Sequence, residues 1–266
     1  MSVRAMHSAA TGMLANEFSL DVIANNLANA NTTGFKKSRV NFEDLFYQHL
    51  NAPGAPDANG QLSPVGTSLG LGTRVSGTQL DHTVGNQIQT GRQLDVAIQG
   101  DGFFQIQDTS EILYTRAGNF TVNSEGALVL ASAGRGRLLE PSITIPPGTT
   151  EISIAPDGVV SAITPPATTS QQLGTIQTAN FINPEGLLQR GDNLYSATDA
   201  SGDPLIGQPG LEGRGSLRSA VLETSNVEPV KELINLIKTQ RNFELNSQVV
   251  QAADQTLQLV ANLRRF

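Results

Sequence analysis

Through the first thirty residues, apolar side chains return at alternating intervals of three and four. Met6, Ala9, Met13, Leu20, Ile23, Leu27 and Ala30 share one register, with Asn16 as its polar member. This heptad pattern turns one face of a helix toward a partner. A helix of that length reaches about 40 Å and is not stable by propensity alone, so its seam needs covering. The last forty residues read the same way. Leu236, Phe243, Val250 and Leu257 recur every seven positions, and Leu233, Ile237, Val249, Ala253, Val260 and Leu263 widen the stripe. Ser225 or Asn226 can cap this second helix, and Pro229 suits its first turn, where the missing N–H has no intrahelical partner. A single stripe of this kind usually marks an ordinary helical core. Two of them at opposite ends of one chain pair most simply as a coiled-coil-like hairpin. That hairpin has too little bulk to cover both seams, which leaves apolar surface for other copies of the chain.

Between the ends the period changes to that of strands. Short runs at Leu94–Ile98, Phe103–Ile106, Ala127–Leu130, Glu151–Ile154 and Gly158–Ala162 alternate with turn signals at Gly100-Asp101-Gly102, Ser124-Glu125-Gly126 and Pro156-Asp157-Gly158. Strands of this length with Asp-Gly and Glu-Gly turns predict antiparallel β structure, and no helical period interrupts them to make a βαβ unit. The fold class is therefore α+β. Residues 1–33 and 227–266 form a terminal helical domain, 75–200 a β-rich outer domain, and 34–74 with 201–226 the connecting arms. The segments 51–73 and 200–216, rich in Gly, Pro and Ser, read as extended linkers.

Composition sharpens this division. Of 26 glycines, only Gly12 and Gly34 precede residue 54, and none follows Gly215. No proline precedes Pro53, and only Pro229 follows Pro209. The net charge of −7 is also uneven, since residues 41–226 are strongly acidic while both ends are slightly basic. With no basic run longer than Lys36-Lys37, nucleic acid is not an expected partner. No apolar stretch is long enough for direct membrane insertion. Asn16, Glu17 and Asp21 break the apolar run that a cleaved signal peptide requires. The chain has no cysteine, which removes disulfides and thiolate chemistry.

No catalytic constellation emerges, and no cofactor or metal is expected. His7, His49 and His82 are isolated from one another and read as surface or loop histidines. Asp101, Asp108 and Glu111 lack the ligand spacing of a calcium loop. The glycine-rich stretches Gly66–Gly72 and Gly210–Gly215 lack the Lys-Ser/Thr of a phosphate loop. The unusual feature is an amide cluster, Asn25, Asn26, Asn29 and Asn31, where the first helix ends. Asparagine competes for backbone groups, so these amides can end the helix and bond a neighbouring chain. Gly34 then supplies a left-handed turn, and Phe35 is free to dock.

The run Ala24-Asn-Asn-Leu-Ala-Asn-Ala-Asn-Thr-Thr-Gly-Phe-Lys-Lys37 resembles the signature of bacterial flagellar rod and hook proteins. So do Leu94-Asp-Val-Ala-Ile-Gln-Gly-Asp-Gly-Phe-Phe-Gln-Ile106 and Tyr114-Thr-Arg-Ala-Gly-Asn-Phe120 in the β region. Leu222-Glu-Thr-Ser-Asn-Val227 and Thr239-Gln-Arg-Asn-Phe-Glu-Leu-Asn-Ser247 continue the likeness to the end, in the family's order. The length and residues 43–73 look most like rod members; hook proteins usually carry an extra outer domain. Arg135-Gly-Arg137 departs from the plain turn that relatives often have there. The resemblance implies a non-enzymatic subunit of a helical homopolymer around an export channel. Met13, Leu20, Ile23, Leu27, Leu236, Phe243, Val250 and Leu257 would form the self-assembly seams, and Asn25, Asn26, Asn29, Gly34 and Phe35 the helix exit. It also implies proximal rod and hook subunits and periplasmic and outer-membrane ring proteins as partners. Export would run through the flagellar type III apparatus without a cleaved signal peptide, with the termini disordered before assembly. A hook or proximal rod subunit is the nearest alternative. A secreted β-rich binding module with helical tails is the alternative from another class.

Overall fold

The computed structural model describes residues 2–54, 64–109, 111–132, 136–165 and 169–263. The chain forms two units. One, here the helical unit, comprises residues 1–27, 38–79 and 229–266; the other, the β unit, comprises residues 28–37 and 80–228.

In the helical unit, helix α1 spans Ser2–Ala28 and helix α2 spans Pro229–Leu263. Between them in sequence lies a ribbon of two antiparallel pairs, Ser38–Asp44 with Thr73–Leu80 and Tyr47–Asn51 with Thr67–Gly70. The ribbon is largely exposed and lies along α1. Arg4 Nη1 donates to Gln48 Oε1 at 2.7 Å, and the His7 ring meets the Leu71 carbonyl at 3.2 Å. The Thr73 amide donates to Thr11 Oγ1 at 3.4 Å. Gly72, at φ +115°, brings the ribbon so close that a Cβ there would collide with Thr11 Oγ1.

The β unit is built on a nine-stranded antiparallel sheet. Phe103–Gln107 is its central strand, flanked by Ile112–Thr115 on one side and by Leu138–Glu140 and Thr178–Asn180 on the other. Alternation along this strand feeds two cores. Phe104 and Ile106 join Val96, Ile98, Phe120, Leu128, Leu139, Val160 and Leu194 on one face. Phe103 joins Leu80, Tyr114, Phe181 and Tyr195 on the other. A three-stranded sheet, Glu151–Ile154, Val159–Ile163 and Gln171–Thr175, completes the larger core. The turns fall where Gly and Asp place them: Gly126 and Gly158 adopt φ +84° and +87°. The Asn123 side chain accepts from the amides of Glu125 and Ala127 across the first of these turns.

Several expectations need correction. Residues 34–74 do not form a bare arm; 38–51 and 67–80 pair as the ribbon, while residues 55–63 of the expected linker lie outside the described residues. Residues 201–226 belong to the β unit, because Leu205–Gly207, Ser216–Ser219 and Val221–Glu223 each pair with one of its strands. Neither Ser225 nor Asn226 caps α2. Ser225 Oγ accepts from the Val227 amide, and the Asn226 side chain bonds the backbone at Lys37 and Asp81. His82 lies in a loop, one of the two readings given for it, but its ring turns inward, edge-on to Phe103 and Tyr195 at 5.5 and 5.8 Å.

Candidate functional site

Along α1 every predicted seam position is at least half-buried, and Ala9 and Ile23 are fully so. On the side that faces the rest of the helical unit, small and polar groups are mixed with apolar ones. Gly12, Ala15 and Asn16 line one cleft with Asn242, Leu245 and Asn246 of α2. Ser19, Ile23 and Asn26 line a second, of about 300 Å³, with Glu232, Asn235 and Thr239. The facing order is antiparallel, and Asn246 Nδ2 lies 2.8 Å from where a Cβ on Gly12 would stand. Small residues permit this approach.

Much of the apolar surface of α2 stays uncovered. Leu236, Val250 and Leu257 are half-buried, while Phe243 is 37 % exposed and Leu233 is 50 % exposed. Val230, Leu233, Ile234 and Ile237 occur at intervals that place them on one helix face, and all four are exposed. Leu245, Val249, Leu259 and Val260 extend the apolar surface along α2, and Leu14 and Phe18 add to it on α1. Ile234, Leu14 and Phe18 fall outside the heptad register and were missed for that reason. Their own spacing of four is the signal that could have found them.

The helix exit is assembled within the chain. The Asn26 amide is 2 % exposed and grips the Ser38 backbone at both ends: Nδ2 donates to the carbonyl at 2.8 Å, and Oδ1 accepts from the amide at 2.9 Å. The bond expected to a neighbouring chain is thus made at home for this residue. Asn29 Oδ1 accepts from Thr32 Oγ1 where α1 ends, and Asn25 is exposed on the helix surface. Gly34 adopts φ +69° as expected. It is also pressed against the Arg116–Ala117 backbone, with a Cβ position only 2.6 Å from the Ala117 nitrogen. Phe35 is half-buried beside a cleft formed with Asn29, Asp192, Asn193 and Tyr195.

Beneath this exit lies a cluster that the sequence did not single out. Lys36 and Glu223 are both buried, with Nζ and Oε1 2.6 Å apart. Arg116 Nη1 stands 3.4 Å from Glu223 Oε2, and its guanidinium lies 5.3 Å from the centre of the Phe103 ring. Burial, partly offset by Glu223, lowers the Lys36 pKa. Burial also lowers His82, assisted by the charges of Lys36 and Arg116, from the usual histidine range to about 4. Tyr195 is pushed up to about 12, chiefly by burial. The clue in the sequence was that Lys36, Arg116 and Glu223 each sit inside a motif. No spacing rule could bring them together.

None of these arrangements holds a nucleophile beside a base. Among the described residues no group of His, Asp or Glu side chains could hold a metal. Asp108 and Glu111 face Arg137 and Arg190 instead of each other. Arg137 also pairs with Asp192, while Arg135 of the same tripeptide lies outside the described residues. No described helix is long and apolar enough to cross a membrane.

Comparison with known proteins agrees with this geometry. The family described as flagella basal body rod protein matches residues 6–36, and the flagellar hook protein FlgE/F/G D1 domain matches residues 97–162. The flagellar basal body rod FlgEFG protein C-terminal family matches residues 218–263. The flagellar basal-body rod protein FlgG of Buchnera aphidicola (subsp. Baizongia pistaciae) is 42% identical over 98% of this chain and 100% of its own. That of Agrobacterium fabrum is 44% identical over 97% and 98%. The hook protein FlgE of Treponema pallidum is 41% identical but aligns with only 50% of this chain and 28% of its own. An α+β chain with helices at both ends, a central antiparallel β unit and full-length likeness to rod subunits is a structural component and not an enzyme: it belongs to the flagellar basal-body rod protein FlgG family.

Proposed function

We propose that the chain polymerises helically into the distal rod, the stiff shaft that carries torque from motor to hook and encloses the export channel. The observation that carries this reading is the apolar surface left along α2 by Val230, Leu233, Ile234, Ile237 and Phe243, with Leu14 and Phe18 on α1. A solitary soluble subunit has no use for such a surface, whereas an open helical assembly covers it by repeated heterologous contacts. In this arrangement α1 and α2 form a coiled-coil-like hairpin. Met13, Leu20 and Leu27 with Leu236, Phe243, Val250 and Leu257 supply its seams to neighbouring copies, while Ile23 packs inside the hairpin. The polymer meets proximal rod subunits at one end and hook subunits at the other, with periplasmic and outer-membrane ring proteins around it. Subunits arrive through the type III export apparatus.

The test is electron microscopy of basal bodies from cells whose sole copy carries Leu233→Asp with Phe243→Asp. Both side chains are exposed, so the purified variant should melt within about 1 kcal/mol of the parent. Its basal bodies should lack the distal rod. Rods of normal length and straightness in these cells would overturn the proposal, and curved polymers of the parent chain would favour a hook subunit instead.

A further inference from the structure

The backbone passes between the helical and β units at four places, after residues 27, 37, 79 and 228. Inside the β unit, the segments belonging to three of these passages are tied to one another by side chains from all three. The Lys37 amide donates to Asn226 Oδ1 at 2.8 Å. Asn226 Nδ2 donates to the Asp81 carbonyl at 2.7 Å and to Thr83 Oγ1 at 3.1 Å. Lys36 Nζ, buried, reaches both Glu223 Oε1 and the Thr83 carbonyl at 2.6 Å. Asp81 closes the set, its amide donating to the Lys37 carbonyl at 2.9 Å and its carboxylate facing Lys37 Nζ at 3.4 Å.

We infer that Asn226 and the buried Lys36–Glu223 pair clamp these three passages into one joint, so that load entering or leaving the β unit is shared among three strands. This rests on the rod reading, which gives the chain a load to carry. Asn226 is placed where a helix cap was expected, yet its amide bridges two segments far away in sequence. A buried ion pair is poor evidence of added stability, because an apolar pair of the same volume packs as well; what it contributes is a specified pairing. Here one ammonium accepts only the register in which Glu223 and Thr83 stand side by side. No strand of the three can shift alone without breaking its bonds to the other two.

The experiment compares full-length wild type with Asn226→Ala, and with Thr83→Ala in case the first does not fold. Amide hydrogen exchange is followed at Lys37, Asp81 and Asn226, and swimming speed is followed against medium viscosity in cells carrying each variant as the sole copy. Losing the bridging amide should speed exchange at Lys37 and Asp81 by about 5- to 30-fold, and losing the Thr83 hydroxyl by a few-fold. Flagellar number in dilute medium should be unchanged, while speed in viscous medium falls more steeply than in wild type. Unchanged exchange at Lys37 and Asp81, or an unchanged viscosity dependence, would overturn the clamp. Failure of the rod reading is separately visible, as normal flagella in cells lacking the chain altogether.

Discussion

Gly34 shows how narrow the tolerance is at single positions. At φ +69°, with the Arg116–Ala117 backbone where a side chain would begin, it combines a conformation that L-residues avoid with a contact that no rotamer can relieve. Gly34→Ala should therefore lose about 3 kcal/mol or more, measured by thermal unfolding of the full chain. His82 gives a second prediction, in pH. Its folded pKa of about 4 lies below the unfolded value, so the unfolded chain binds more protons between the two. The stability from keeping this ring neutral is complete above about pH 6.5, falls as pH drops, and is gone near pH 4, a change of about 3 kcal/mol. The charges that disfavour protonation there are Lys36 and Arg116, with Glu185 opposing them weakly. Unfolding curves of His82→Phe should lack this component, and parallel slopes for variant and wild type would refute it.

At the scale of elements, the question is which faces of the helices the fold uses. Gly12 and Ala15 on α1 stand opposite Asn242 and Asn246 on α2 because small groups allow a close approach. Gly12→Leu should consequently cost about 1–3 kcal/mol by overpacking and lower the melting temperature, whereas Leu14→Ala, on the exposed side, should change it little. Helical period and breaker-free composition predicted both helices to within a few residues, and the Glu125-Gly126 and Asp157-Gly158 turns located two hairpins of the β unit, whereas Asp101-Gly102 joins strands that pair elsewhere. Periodicity could not tell which stripe packs within the chain, because heptad positions such as Phe243 and non-heptad ones such as Ile234 are equally apolar. The ribbon of 38–51 and 67–80 escaped notice for a related reason. Val40 and Phe42 do alternate with polar neighbours, but over only a few positions, the strands Tyr47–Asn51 and Thr67–Gly70 are exposed throughout, and the Gly- and Pro-rich segment between the halves reads as a linker. The helix exit was legible at Gly34, whose left-handed turn follows from residue type. It was not legible at Asn26, whose bonds close on Ser38, nor at Lys36 and Glu223, whose pairing over 187 positions depends on the tertiary fold.

For the whole molecule, the distribution of cores decides what a lone subunit can hold together. The β unit has two buried clusters of its own, fed by both faces of the Phe103–Gln107 strand. Among the described residues of α2 only Glu232 and Ala253 are fully buried, so little of that helix is fixed by its own chain. Amphipathic helices draw most of their stability from a packed face, and regions with few buried contacts open locally at low free energy. Unassembled chains should thus open at α2 well before the β unit does. Lys231, Lys238 and Arg241 are exposed on α2 and provide trypsin with sites. Brief digestion of the monomer should cut there first and leave the β unit intact, and the same sites should be protected in assembled rods. The comparison measures directly how much of the terminal helices' order is contributed by neighbouring copies. If monomer and rod were cut at α2 at the same rate, the helices would owe their order to their own chain, and the assembly seams would have to be sought elsewhere.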